Sequence, residues 1–167
     1  GDVIPEVVAP ITNMRTGDEK KFTMPKNCPI CGGKVIKKDG EVDYYCADPQ
    51  CAVREQRQID FFVSKNAFNI DGLGPKIVEQ LINTGLIKDV SDIFKLSEGD
   101  LQPLERFAEK SASNLIEAID KSRAISLEKF IYALGIRHVG SETAKDIAAQ
   151  FGSIEKILKA SREEFEA

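Results

Sequence analysis

Much of what narrows this chain is absent from it. Its 167 residues contain no run of about 18 apolar residues, so no membrane-spanning helix is expected. The opening Gly1-Asp2-Val3-Ile4-Pro5 has neither the charged start nor the apolar core of a secretory signal. Starting at Gly and not Met, the chain reads as a trimmed piece. Positive charge is not in excess: 23 Lys and Arg face 27 Asp and Glu, a net charge of -4. Dedicated nucleic-acid binders are usually basic. The balance still leaves nucleic acid open, because backbone amides hold phosphates with few lysines and a positive face can sit on an acidic whole. Histidine occurs once, and His138 has no Ser or Cys partner in a catalytic arrangement. It reads as an exposed residue beside Arg137, whose guanidinium fork is the better phosphate ligand.

Cysteine is confined to one window. Cys28-Pro29-Ile30-Cys31 is followed after fourteen residues by Cys46 and after four more by Cys51. A pair two residues apart makes a knuckle that aims both thiolates at one centre, and a second pair across a hairpin completes a tetrahedron. Lys34-Val35-Ile36-Lys37 and Val42-Asp43-Tyr44-Tyr45 predict two short strands around an Asp39-Gly40 turn. The spacing points to structural zinc on Cys28, Cys31, Cys46 and Cys51. Two disulfides and a rubredoxin-like iron site are the competing readings. Four thiolates leave no open coordination position, so the centre is not catalytic. So small a unit depends on its metal to fold. Lys37-Lys38-Asp39-Gly40 fits the Lys-x-Asp-Gly signature of nucleotidyl transferases. On a hairpin tip between metal ligands it has no room for a nucleotide pocket, and the match is coincidental.

Ahead of the cysteines, Val3, Ile4, Val7, Val8 and Ile11 are interrupted by Pro5 and Pro10, which predicts edge strands or bends at the end of a β-structure. Residues 12–27 are polar and turn-rich, as in a linker. From Ile59 onward the periodicity is helical. Phe61, Phe62, Val63 and Phe68 precede Asp71-Gly72-Leu73-Gly74-Pro75-Lys76, and Ile77, Val78, Leu81 and Ile82 follow on one helical face. Glycine permits positive φ and close approach, and Pro75 suits a first helical position. The turn therefore offers free N–H groups and the positive end of a helix dipole to a phosphate. This is a helix–hairpin–helix unit over about residues 60–85, closed by Gly85. Ser91 and Ser97 predict N-caps of short helices. A second unit runs through Arg106-Phe107-Ala108 into a helix with Ala112, Leu115, Ile116 and Ile119, and reads as a packing element. A third carries Leu127, Phe130, Ile131 and Leu134, then Gly135-Ile136-Arg137-His138-Val139-Gly140, then Ala144, Ile147, Ala148 and Phe151. Ser161-Arg162-Glu163-Glu164 is a capping box.

A four-cysteine finger followed by tandem hairpins resembles the C-terminal portion of the bacterial NAD-dependent DNA ligases. The strings that carry the likeness are Gly1-Asp2-Val3-Ile4-Pro5, Cys28-Pro29-Ile30-Cys31-Gly32, Phe61-Phe62-Val63-Ser64, Asp71-Gly72-Leu73-Gly74, Glu109-Lys110-Ser111-Ala112 and Tyr132-Ala133-Leu134-Gly135-Ile136-Arg137. The resemblance implies a mainly α fold: tandem helix–hairpin–helix units preceded by a small β zinc finger and a remnant of an OB barrel. It divides the chain into the end of the OB barrel and linker (1–27), the four-cysteine zinc finger (28–58) and a helix–hairpin–helix domain (59–167) truncated before its fourth hairpin. It also implies a clamp on double-stranded, nicked DNA that reads no sequence, with Gly72, Gly74, Lys76, Gly135, Arg137 and Gly140 as DNA-binding positions. Ala108, where the family has glycine, puts phosphate contact at the second turn in doubt. NAD and Mg would serve the parent ligase in replication and repair and not this piece, which lacks the adenylation site and is expected to be inactive alone. A bacterial cytoplasmic location and a monomeric piece are further expectations. The alternatives are a stand-alone zinc and helix–hairpin–helix module of a repair or recombination protein, and a zinc-stapled protein-interaction domain.

Overall fold

The computed structural model describes residues 5–105 and 107–166, the last as backbone alone. Gly1 to Ile4, Arg106 and Ala167, all parts of the expectations above, lie outside the described residues. The chain divides into two compact units, residues 1–47 and 48–167.

The first unit has almost no interior. Residues 5–11 form no strand, and Val7 and Val8 are fully open to solvent. A strand needs a neighbour to take its N–H and C=O groups, and none of the described residues pairs with this segment. One 3-10 turn, Thr12–Met14, follows. The expected hairpin is present as β1 (Val35–Lys37) and β2 (Tyr44–Cys46), antiparallel with Ile36 opposite Tyr45. Its loop is longer than a two-residue Asp-Gly turn. Glu41 N–H donates to the Lys38 carbonyl, and Gly40 supplies a φ of 79° between them. On the other side of β1, Val35 N–H donates to Lys26 O and Cys28 N–H to Gly33 O, which brings the first cysteine pair beside the sheet.

The second unit is helical. Helix α1 (Ala52–Val63) starts directly after Cys51 and not at Ile59. Arg54, Glu55, Gln56, Arg57 and Gln58 are straight-chain residues that lose little freedom in a helix, so polarity hid a helix the backbone favours. Then come α2 (Pro75–Asn83), a 3-10 turn (Asp92–Lys95), α3 (Glu98–Leu101), α4 (Glu109–Ser122), α5 (Leu127–Ala133), α6 (Ser141–Phe151), α7 (Ile154–Lys159) and α8 (Arg162–Glu166). The whole is mainly α, with tandem helix–hairpin–helix units.

Local signals fix several helix ends. Gly85, at φ 74°, closes α2 in a Schellman motif: Leu86 N–H reaches Leu81 O and Gly85 N–H reaches Ile82 O. Asp100 accepts from both the N–H and the hydroxyl of Ser97. Ser161 N–H donates to Glu164 and Glu164 N–H returns to the Ser161 hydroxyl, the expected box. Ser91 does not cap. Asp92, the first residue of the turn, instead accepts from the Lys95 ammonium and from the upstream Lys88 N–H, which hold its carboxyl down at about 2.

The core runs through the first two hairpins. Ile59, Phe62, Val78, Leu81, Ile87, Leu101, Ala112, Leu115 and Ile119 are buried together. Phe62 stacks on Phe68 with ring centroids 4.1 Å apart, and Phe68 meets Phe94 at 5.5 Å. α5 packs on α1 and on α6, so the third hairpin is fixed to the first through α1.

Candidate functional site

The four cysteine sulfurs converge, all within 4.8 Å of one another, with Cys31 and Cys46 Sγ 3.4 Å apart. None is in a disulfide. A tetrahedral thiolate centre with bonds of about 2.3 Å sets its sulfurs roughly 3.8 Å apart, so this donor set fits zinc. The knuckle is built from backbone bonds. Gly32 N–H donates to Cys28 O, and Gly33 N–H points at the Cys31 sulfur. Backbone N–H groups of Cys31 and Ile30 aim at the Cys28 sulfur and lower its thiol to about 7, toward the deprotonated form a metal ligand needs. Cys51, almost wholly buried, is the N-cap of α1, so the last ligand also begins the helical unit. Lys37 of the Lys-x-Asp-Gly string lies over the Tyr44 ring at 5.6 Å, and residues 37–40 are exposed.

The first and third hairpin turns share one backbone. Asn69 and Gly135 have φ 51° and 62°; Gly72 and His138 have 82° and 67°. Gly74 and Gly140 are both extended N-caps, at φ -82°, ψ 171° and φ -82°, ψ -176°. Leu73 N–H donates to Ile70 O as Val139 N–H donates to Ile136 O. The second turn repeats that bond from Phe107 to Leu104, with Ala108 as its N-cap at φ -83°, ψ 161°.

None of these three N-caps offers a side-chain acceptor to the helix it opens. The carbonyl of Gly74 serves Ile77 and Val78, and that of Gly140 serves Ala144. Among the described residues, the N–H groups of Gly74 and Lys76, and of Gly140, Ser141 and Glu142, take no hydrogen bond. Gly72, Gly74, Lys76, Arg137 and Gly140 are all exposed. A Cβ added at Gly74 or Gly140 would meet nothing within 4 Å, so the space above each turn is open. Uncommitted amides at the positive end of a helix dipole attract anions.

Gly135 has a different place. It ends α5, and a Cβ there would lie 3.4 Å from Phe61, so its bareness serves packing as well as its positive φ. The position matching Gly72 is His138, a non-glycine residue held in the left-handed region, which a search for glycines passes over. Lys65, Lys129 and Lys145 were also missed. With Ser141 and Glu142 they line a cleft of about 480 Å³ at the start of α6. They come from three separate stretches of sequence, which only the fold brings together.

Residues 27–52 match the NAD-dependent DNA ligase C4 zinc finger domain, residues 66–121 a SAM-like helix-hairpin-helix tandem, and residues 129–167 a helix-hairpin-helix motif. The family the chain matches is that of the NAD-dependent DNA ligases. A DNA ligase of Bacillus subtilis is 46% identical over 164 residues, 98% of this chain and 25% of that protein. One of Lysinibacillus sphaericus is 47% identical over 167 residues, 100% of this chain and 25% of that protein. One of Listeria innocua is 47% identical over 163 residues, covering 98% and 24%. The chain thus spans about a quarter of the length of these ligases. Among the described residues, no helix is long and apolar enough to cross a membrane.

Proposed function

We propose that this chain is the duplex-holding clamp portion of an NAD-dependent DNA ligase, the enzyme sealing nicks during replication and repair in a bacterial cytoplasm. Residues 59–167 grip the backbone of double-stranded, nicked DNA without reading its sequence, through Gly72, Gly74 and Lys76 of the first turn and Arg137 and Gly140 of the third. Cys28, Cys31, Cys46 and Cys51 hold one zinc ion that folds the finger over 28–58. Residues 1–27 are the end of an OB barrel and its linker. Zinc supplies a structural centre and no chemistry. NAD and Mg act on parts of the ligase outside this chain, and the chain alone is inactive and monomeric.

The observation that carries this reading is the repetition of one turn backbone with open amides at two places in the fold. Amide contacts to phosphate position a protein on a duplex and carry no sequence information. Titrating two labelled duplexes of unrelated sequence should give closely similar affinities that fall steeply with salt, by a log–log slope near -0.9 for each phosphate neutralised. Absence of binding at low salt, or a strong preference for one sequence, would overturn the assignment.

A further inference from the structure

A cleft of about 780 Å³ lies between α1 and the third turn, within the helical unit, and apart from Gly140 on its edge nothing so far uses it. Its floor is apolar: Phe61 meets Tyr132 with ring centroids 5.1 Å apart, and Leu134 and Ile136 are 39% and 51% exposed beside them. Its rim is cationic. Arg54 and Arg57, one helical turn apart on α1, face His138 and Gly140 across the opening. Arg54 donates to the Asp48 carbonyl at 3.2 Å, which steadies its guanidinium. Among the described residues neither arginine forms an ion pair, and Glu55 is the one carboxylate lining the cleft.

From this we propose that the cleft is a second strand-binding track. Arg54 and Arg57 hold a backbone phosphate next to the one gripped at the third turn, and the sugar lies over Leu134 and Ile136. A guanidinium fork matches phosphate oxygens, and an aliphatic floor suits a deoxyribose face. Shape and charge together fit a nucleic-acid strand: the apolar floor would leave a bare anion only half contacted, and the arginine rim disfavours a purely apolar peptide.

The inference rests on the duplex-binding reading and is tested beside it. Arg54→Gln combined with Arg57→Gln is compared with Lys156→Gln combined with Lys159→Gln, which removes equal charge from a different cleft near α7. All proteins are checked for zinc content and helicity, then titrated with the same duplex across a salt series. The arginine pair should weaken binding about tenfold and reduce the log–log salt slope by about 1, the value for one phosphate, while the lysine pair changes the slope by less than half as much. If the unaltered chain binds no duplex, the proposed function fails. If it binds, and the arginine variant keeps its affinity and slope or the lysine variant loses as much, the track alone is refuted.

Discussion

Gly72 and Gly74 are two residues apart and are glycine for different reasons. Gly72 sits at φ 82°, where any side chain is strained. Gly74 is extended and has open space over its α-carbon, so a side chain fits there but covers the free amides. The pair separates folding from binding. Gly72→Ala should cost about 1–2 kcal/mol in a denaturation experiment, the penalty of a left-handed residue. Gly74→Leu should cost less than that, only the loss of an N-cap preference, and should weaken duplex binding tenfold or more, the worth of an amide hydrogen bond to a charged group (about 1.5–3 kcal/mol). Unaltered binding by Gly74→Leu would remove the first turn from the interface. Glycine content was also the limit of what the sequence revealed here. What repeats between the turns is backbone geometry, and His138 fills the slot of Gly72 because histidine tolerates the left-handed region better than most residues. The 66-residue offset linking Leu73-Gly74 to Val139-Gly140 was available in the sequence. It would have placed His138, and not Gly135, at the tip of the third turn.

Among the elements, the finger and the hairpins are held by opposite means. No described residue before Cys51 is buried, whereas the helical unit encloses a continuous apolar core. The finger should therefore bind one zinc ion per chain and lose its structure on chelation. Far-UV circular dichroism should retain most of the helical signal, because α2 through α6 do not depend on the metal. Loss of the whole helical signal, or chelation without exposure of four reactive thiols, would contradict this division. Cysteine spacing made the metal centre legible, since four ligands with a knuckle and a hairpin admit few geometries. Helix α1 was less legible. Its first seven residues are polar apart from Ala52 and Val53, so hydrophobic periodicity begins only at Ile59, after the helix has already completed nearly two turns. Residues 5–11 carry a β-rich composition that finds no pairing partner among the described residues, and composition alone cannot supply one.

At the scale of the molecule, the proposed clamp function is compatible with an acidic chain because the proposed binding elements are mostly uncharged backbone. A net charge of -4 describes the whole surface and not the turns. Lys65, Lys129 and Lys145 around the start of α6, and Arg54 and Arg57 across from it, outnumber Glu55, Glu128 and Glu142 in the same two clefts and put a modest positive charge where the amides open. α1 ties these pieces together, running from the last cysteine to Phe61, which packs against Gly135. The most direct test of open amides as phosphate cradles is a nitrogen–proton correlation spectrum of the labelled chain as duplex DNA is added. The amide signals of Gly74, Lys76, Gly140, Ser141 and Glu142 should shift farthest, and shift back as salt is raised. If those five stay in place while signals elsewhere move, the duplex is held by another surface and the account of the turns is wrong.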